Sequence, residues 1–194
     1  MDTFLYDVQL YGINFLIGLI AFMFLWGIFK LSILQPHSNW NHLLDNFNFS
    51  SKEFYSRLEE GLQLQGIKKV DTYTVSLKIG GPFSSRRRYL RVEWKSFRYD
   101  ICAAPFGKGF FISWWVLHKN PIMKMVIAKI PFLGEWLSEK WYPITHYKID
   151  SASMFMTYCQ SSVLKVIDDI TIKNGLRLLN DDERKPILNN IFKR

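Results

Sequence analysis

The chain has 194 residues, 48% of them hydrophobic, and its 25 Lys and Arg residues against 17 Asp and Glu residues give a formal net charge of +8. This length accommodates one compact domain with a short extension, and the hydrophobic fraction excludes a chain that is disordered throughout. The positive surplus favours anionic partners such as phospholipid headgroups, nucleic acid or an acidic protein. Because Cys102 and Cys159 form neither a CxxC pair nor a metal-ligand spacing, we expect reduced, buried thiols.

The stretch from Leu10 to Phe29 contains no charged residue. A helix of this length extends roughly 30 Å, the thickness of a bilayer hydrocarbon core. It predicts a transmembrane anchor within residues 1–34, which stays uncleaved because Asp2 and Asp7 precede it and no basic residue does. Lys30 follows the run, so the positive-inside rule predicts a single-pass protein of a bacterial-type inner (cell) membrane, with its N-terminus outside and a cytoplasmic C-terminal domain.

Residues 35–49 contain Pro36 and several asparagines and are predicted to form a juxtamembrane linker. Residues 50–194 are predicted to form a cytoplasmic α+β domain. Ser50 and Glu53 have the spacing of a capping box, which predicts a helix from Ser51 to Gln65.

An alternation of apolar and polar residues begins after Val70 and predicts a strand along Tyr73, Val75, Leu77 and Ile79. Further strands are predicted over residues 88–94 and 97–103 and from residue 110, with Lys95 and Ser96 as a short hairpin connection. Four consecutive strands with short connections predict an antiparallel meander. A long helix, capped by Asp150 and running from Ser151 to Lys173, completes the predicted domain.

Residues 110–142 are rich in apolar and aromatic residues, but charged residues and Pro131 interrupt them. Because no run here is long enough for a second span, we predict an interfacial, membrane-facing segment, with a pair of ordinary core helices as the alternative. The residues predicted to contact the membrane interface are Trp114, Trp115, Lys124, Lys129, Trp136, Trp141 and Tyr142.

The sequence SSRRRYLRVEWKSFR, residues 84–98, is the most basic part of the chain. The candidate contact residues in this basic cluster are Arg86, Arg87, Arg88, Arg91, Lys95 and Arg98. Three interpretations fit them: contact with anionic lipid, a solvated sheet edge or oligomer contact, and binding of nucleic acid or another phosphate ligand. Basic residues interleaved with Tyr89, Trp94 and Phe97 are the combination that an oligonucleotide-binding sheet would use, with phosphate pairing alongside base stacking.

The sequence has no GxSxG motif, no phosphate-binding GxxxxGK[ST] loop and no metal-ligand spacing among its four histidines. It therefore predicts no catalytic residue, no metal site and no cofactor. The resulting hypothesis is a non-enzymatic, membrane-docked protein that acts as an oligomeric scaffold or pore-forming assembly. Its alternatives are a membrane-anchored effector that senses a nucleic acid or nucleotide, and an enzyme that acts on lipid.

Overall fold

A computed structural model describes residues 2–78 and 86–188, with side chains from residue 12 onward apart from those of residues 25, 28, 29 and 188. The chain divides into two compact units. The first unit comprises Met1–Ile33 and Asn120–Pro143, and the second comprises Leu34–Lys119 and Ile144–Arg194.

The described chain has an α+β fold. Its helices are α1 (Asp2–Lys30), α2 (Ser51–Leu64), α3 (Ile122–Ala128), α4 (Gly134–Trp141) and α5 (His146–Lys173). Its strands are β1 (Ser32–Leu44), β2 (Asp71–Lys78), β3 (Arg86–Trp94), β4 (Phe97–Phe106), β5 (Gly109–Pro121) and the two-residue β6 (Ile187–Leu188). They form one sheet in the order β2-β3-β4-β5-β1-β6, in which β2 to β5 are consecutive antiparallel neighbours.

The predicted transmembrane anchor is wrong. None of the helices in the described residues combines the length and the apolar character needed to cross a membrane. The prediction relied on the length and the uncharged, apolar character of the stretch from Leu10 to Phe29, and the described helices do not bear it out. The predicted single-pass location, the membrane-docked scaffold or pore and the membrane-anchored effector depended on this anchor, and they are wrong for the same reason.

The predicted four-stranded sheet is also wrong, because β1 and β6 extend it beyond β5. β1 occupies most of the stretch predicted as a linker. Pro36 and the asparagines suggested a loop, but they occupy exposed or half-buried positions, while Ser38, Trp40 and Leu44 on the same strand are buried. Burial of this alternate set outweighs the low strand propensity of the residues between them.

The helix α2 begins where the capping box predicts, since the Ser50 side chain accepts a hydrogen bond from the Glu53 N–H. The long helix α5 begins at His146, five positions before the predicted start at Ser151. Its N-cap is Thr145, whose hydroxyl accepts a hydrogen bond from the Lys148 N–H at 3.3 Å. Thr145 caps the helix just after Pro143, and Asp150 lies inside the helix instead of at its end.

The core of the second unit lies between one face of the sheet and the two helices α2 and α5. Phe54 of α2 packs against Phe110 of β5, and Phe155 of α5 packs against Trp94 and Tyr99 of the neighbouring strands. The buried strand residues on this face include Leu90, Val92, Ile101, Ile112, Trp114 and Val116. Because side chains alternate along a strand, the residues between them lie on the opposite face, which we call the open face.

Candidate functional site

Two arginines of the basic cluster are neutralised on the open face. Arg91 donates two hydrogen bonds to the directly opposite Asp100, at 2.7 and 2.8 Å, and the two side chains are only 12% and 5% exposed. Arg98 pairs with the opposite Glu93 at 2.7 Å, and Lys119 reaches the same carboxylate at 3.3 Å. Burial acts to raise the pKa of Glu93, but the hydrogen bonds from Arg98 and Lys119 outweigh it and lower the pKa. These pairs hold neighbouring strands together and leave Arg91 and Arg98 little capacity for an external anion.

Lys95 also has a structural role. It occupies the turn between β3 and β4, with its ammonium 4.1 Å from the centre of the Trp94 ring and 2.9 Å from the Tyr147 hydroxyl. The hydrogen bond from Lys95 lowers the pKa of Tyr147. This contact ties the turn to the first residues of α5, at the end of β3 that is remote from Arg86.

The remaining three arginines lie on the part of β3 that is no longer paired with β4. The β2–β3 ladder continues from the pair Asp71 and Glu93 to the pair Lys78 and Arg86, but the β3–β4 ladder ends at Leu90. Residues 86–89 of β3 therefore pair only with residues 75–78 of β2 in the described ladders. We call this two-stranded extension the outer ribbon.

A tyrosine of α2 stabilises the opening between β3 and β4. The Tyr55 hydroxyl donates a hydrogen bond to the Arg88 carbonyl at 2.9 Å and accepts one from the Ala103 N–H at 2.9 Å. These two hydrogen bonds replace the direct backbone hydrogen bond that β3 and β4 would make here if they were still paired. Burial of the hydroxyl raises the pKa of Tyr55 to about 12. The buried hydroxyl thus stays protonated and keeps the outer ribbon apart from β4.

We expect Tyr55→Phe to lower the free energy of unfolding by about 1–3 kcal/mol, because the buried Ala103 N–H loses its hydrogen-bond partner. Amide hydrogen exchange should show faster exchange at Ala103 than in the unmodified chain. Tyr147→Phe is the matched control, because water can replace the exposed hydrogen bond that its hydroxyl makes with Lys95. It should change the unfolding free energy by at most about 0.5 kcal/mol and leave the Ala103 exchange rate unchanged. Unchanged exchange at Ala103 in the Tyr55 variant would contradict the bridging role.

The outer ribbon concentrates positive charge. Lys78 and Arg86 lie directly opposite each other, and Arg88, two positions along β3, is on the same face. Like charges opposite each other destabilise a strand pair unless an anion lies between them. The salt bridges of the described residues do not include one from Arg86, Arg87 or Arg88 to a carboxylate.

The net positive charge of the whole chain is concentrated in the same region as the outer ribbon. The first unit contains four basic and four acidic residues, so the surplus of +8 belongs to the second unit. Residues 68–98 alone contain nine basic and two acidic residues, a net charge of +7. Most of the surplus therefore lies on and around the β2–β3 hairpin.

The other face of the outer ribbon combines aromatic, aliphatic and cationic groups. The register places Tyr73, Val75 and Leu77 opposite Arg91, Tyr89 and Arg87, respectively, on the open face. Tyr73 is 41% exposed. Arg87 and Tyr89 also contact the thiol of Cys102, whose pKa is raised by burial and lowered in part by Arg87. The apolar residues of β2 therefore lie on the face of the sheet opposite to α2 and α5. Alternation in the sequence predicts that they share a face but does not show which face it is.

The residues predicted to contact a membrane interface are divided between different environments. Trp114 is 1% exposed and stacks on Tyr99 at 5.0 Å, so it contacts the core and not an external surface. Trp115 lies on the open face and is 42% exposed. The other predicted residues belong to the segment of α3, α4 and their flanks in the first unit, and they are Lys124, Lys129, Trp136, Trp141 and Tyr142.

The structure has a polar groove of about 580 Å³ between α2 and α5, which was not predicted from the sequence. Arg57, Lys165 and Lys173 line it together with Glu60 and Asp169. Cations and carboxylates are mixed along its walls, so it lacks the single sign of charge found on the outer ribbon. No group of three or more His, Cys, Asp or Glu side chains in the described part of the chain is arranged to hold a metal ion.

No family model and no curated protein matches the chain. Among solved structures, the crystal structure of TTHA0849 from Thermus thermophilus shows a weak similarity. Its TM-score is 0.26 at 17% sequence identity, over 72% of this chain and 99% of that chain. A TM-score of this size carries no inference about function.

Proposed function

We propose that the chain is a non-catalytic binding domain whose outer ribbon binds the phosphate backbone of single-stranded nucleic acid. The observation that carries this proposal is the opposition of Lys78 and Arg86, with Arg88 on the same face. A phosphate between these side chains would accept charge-assisted hydrogen bonds from both of them.

The chemistry of the side chains supports a nucleic-acid strand over a lone phosphate. Arg86 and Arg88 are exposed, and a guanidinium group binds phosphate oxygens through two parallel hydrogen bonds. Successive phosphates require several such groups in a row, which the alternation along β3 supplies.

The proposal is tested by the affinity of the full chain for a fluorescent single-stranded oligonucleotide, measured by anisotropy. The test variant combines Lys78→Gln, Arg86→Gln and Arg88→Gln, the three cations that lie on one face of the outer ribbon. Each phosphate contact on a single strand contributes a slope of about 0.7 to the plot of log K against log salt. Loss of three contacts should therefore weaken binding roughly a hundredfold at 0.1 M salt.

The matched control combines Lys52→Gln, Lys165→Gln and Lys173→Gln, which remove the same charge from exposed positions of α2 and α5. It should bind nearly as tightly as the unmodified chain. Equal loss in both variants would indicate nonspecific attraction to the net charge, and larger loss in the lysine variant would place the ligand in the α2–α5 groove. Either result, or no binding by the unmodified chain at low salt, would contradict the proposal.

A further inference from the structure

The strand β2 forms one edge of the sheet. Its only strand neighbour in the described part of the chain is β3, so its outer side presents backbone N–H and C=O groups that no described strand pairs. An edge of this kind can accept another strand through backbone hydrogen bonds. We infer that β2 pairs with β2 of a second copy of the chain, antiparallel and about a two-fold axis at Val75.

The sequence of β2 is complementary to itself in this register. Residues directly opposite each other in an antiparallel pair lie on the same face of the sheet. With Val75 opposite its own copy, Tyr73 lies opposite Leu77, and Thr74 lies opposite Ser76. One face of the joint then carries a row of apolar side chains, and the other face carries a row of hydroxyl groups. This symmetry favours a second copy over an unrelated strand, since an isologous interface requires the same patch on both partners.

The pairing also accounts for the direction of the apolar residues. Tyr73, Val75 and Leu77 lie on the open face, away from the core formed with α2 and α5. In the paired sheet, each of them gains an apolar neighbour across the joint. Cross-strand pairs of aromatic and aliphatic residues stabilise a sheet.

The usual protections against edge pairing are missing from the interior of β2. Residues 72–77 contain no proline and no charge, and the β2–β3 register has no bulge. The cation Lys78 is at the end of the strand. In the proposed register, the two copies of Lys78 are offset by six positions, roughly 20 Å at the rise of a strand. This separation exceeds the Debye length of about 8 Å at physiological ionic strength, so their repulsion is weak.

The register is tested by oxidative cross-linking of the full chain carrying Val75→Cys. Directly opposed residues have a Cα separation of about 4.5–5.5 Å, within the range for a disulfide. We therefore expect a covalent dimer. The native cysteines Cys102 and Cys159 are fully buried, and burial raises the pKa of both thiols, so they remain unreactive in the folded chain.

Two further variants distinguish this register from other contacts. Thr74→Cys alone should not cross-link, because the two copies of position 74 are diagonal neighbours roughly 7–8 Å apart. A mixture of Thr74→Cys and Ser76→Cys chains should form mixed dimers. Position-specific cross-linking is needed because α1 exposes apolar side chains such as Phe22 and Trp26, which could associate independently of β2.

The second measurement is the mass of the particle in solution by sedimentation. Val75→Lys places two ammonium groups opposite each other at the axis, and the mass should fall to that of one chain. Trp115→Lys, on the open face of the interior strand β5, should leave the mass unchanged. A single-chain mass for the unmodified protein, or absence of the Val75→Cys dimer, would overturn the inference. Either result leaves the proposed nucleic-acid binding unaffected, since it requires only one copy of the outer ribbon.

Discussion

Asp100→Ala should lower the free energy of unfolding by about 3–5 kcal/mol, because removal of one partner leaves the other charge of a buried pair unpaired. The side chains of Arg91 and Asp100 are only 12% and 5% exposed, and two hydrogen bonds join them across β3 and β4. Arg91 cannot discard its charge, since its hydrogen bond to Asp100 raises the pKa of a group that is already protonated at every accessible pH. The measurement is urea unfolding followed by circular dichroism.

Asp168→Ala is the matched control for this prediction. Asp168 forms the same kind of two-point contact with Arg184, at 2.7 and 3.1 Å, but these side chains are 28% and 26% exposed. Water can solvate the arginine that remains, so we expect a loss of at most about 1 kcal/mol. Equal losses in the two variants would show that burial does not determine the contribution of these pairs.

Trp114→Ala should lower the free energy of unfolding by about 3–5 kcal/mol, the range for removing a large aromatic side chain from a packed core. Trp114 is 1% exposed and stacks on Tyr99, which is itself fully buried and packs edge-on against Phe155. Loss of the indole ring would open a cavity in the layer between the sheet and α5.

The adjacent Trp115→Ala is the control, because it removes the same side chain from the open face, where Trp115 is 42% exposed. Its effect on the unfolding free energy should be within about 1 kcal/mol, as for most surface substitutions. Equal effects at the two positions would contradict the assignment of the core to one face of the sheet.

The local elements of the fold could be predicted where short-range signals determine them. The Ser50 cap, the periodicity of α2 and the alternation of β2 to β4 are all contained in a few consecutive residues. Even the pairs Arg91–Asp100 and Glu93–Arg98 follow from a two-residue turn at Lys95 and Ser96, because that turn fixes the register. We did not predict these pairs from the sequence, although the signal was present.

Other features depend on contacts between distant residues. β1 forms because the Trp40 and Leu44 side chains are buried, although Pro36 and the asparagines favour a loop. The outer ribbon separates from β4 because the Tyr55 hydroxyl, 33 positions before Arg88, accepts and donates the hydrogen bonds at that point. Neither contact has a signature in the local sequence. The structure was therefore needed to separate the cations that pair across the β3–β4 hairpin from those on the outer ribbon.

The central claim is that the outer ribbon neutralises phosphates, and the salt dependence of oligonucleotide binding tests it most directly. A plot of log K against log salt should be linear for the full chain, with a slope of about −0.7 for each phosphate contacted on a single strand. In the Lys78, Arg86 and Arg88 glutamine variant, the slope should become shallower by about 2, because three contacts are lost. An unchanged slope in this variant would contradict the claim.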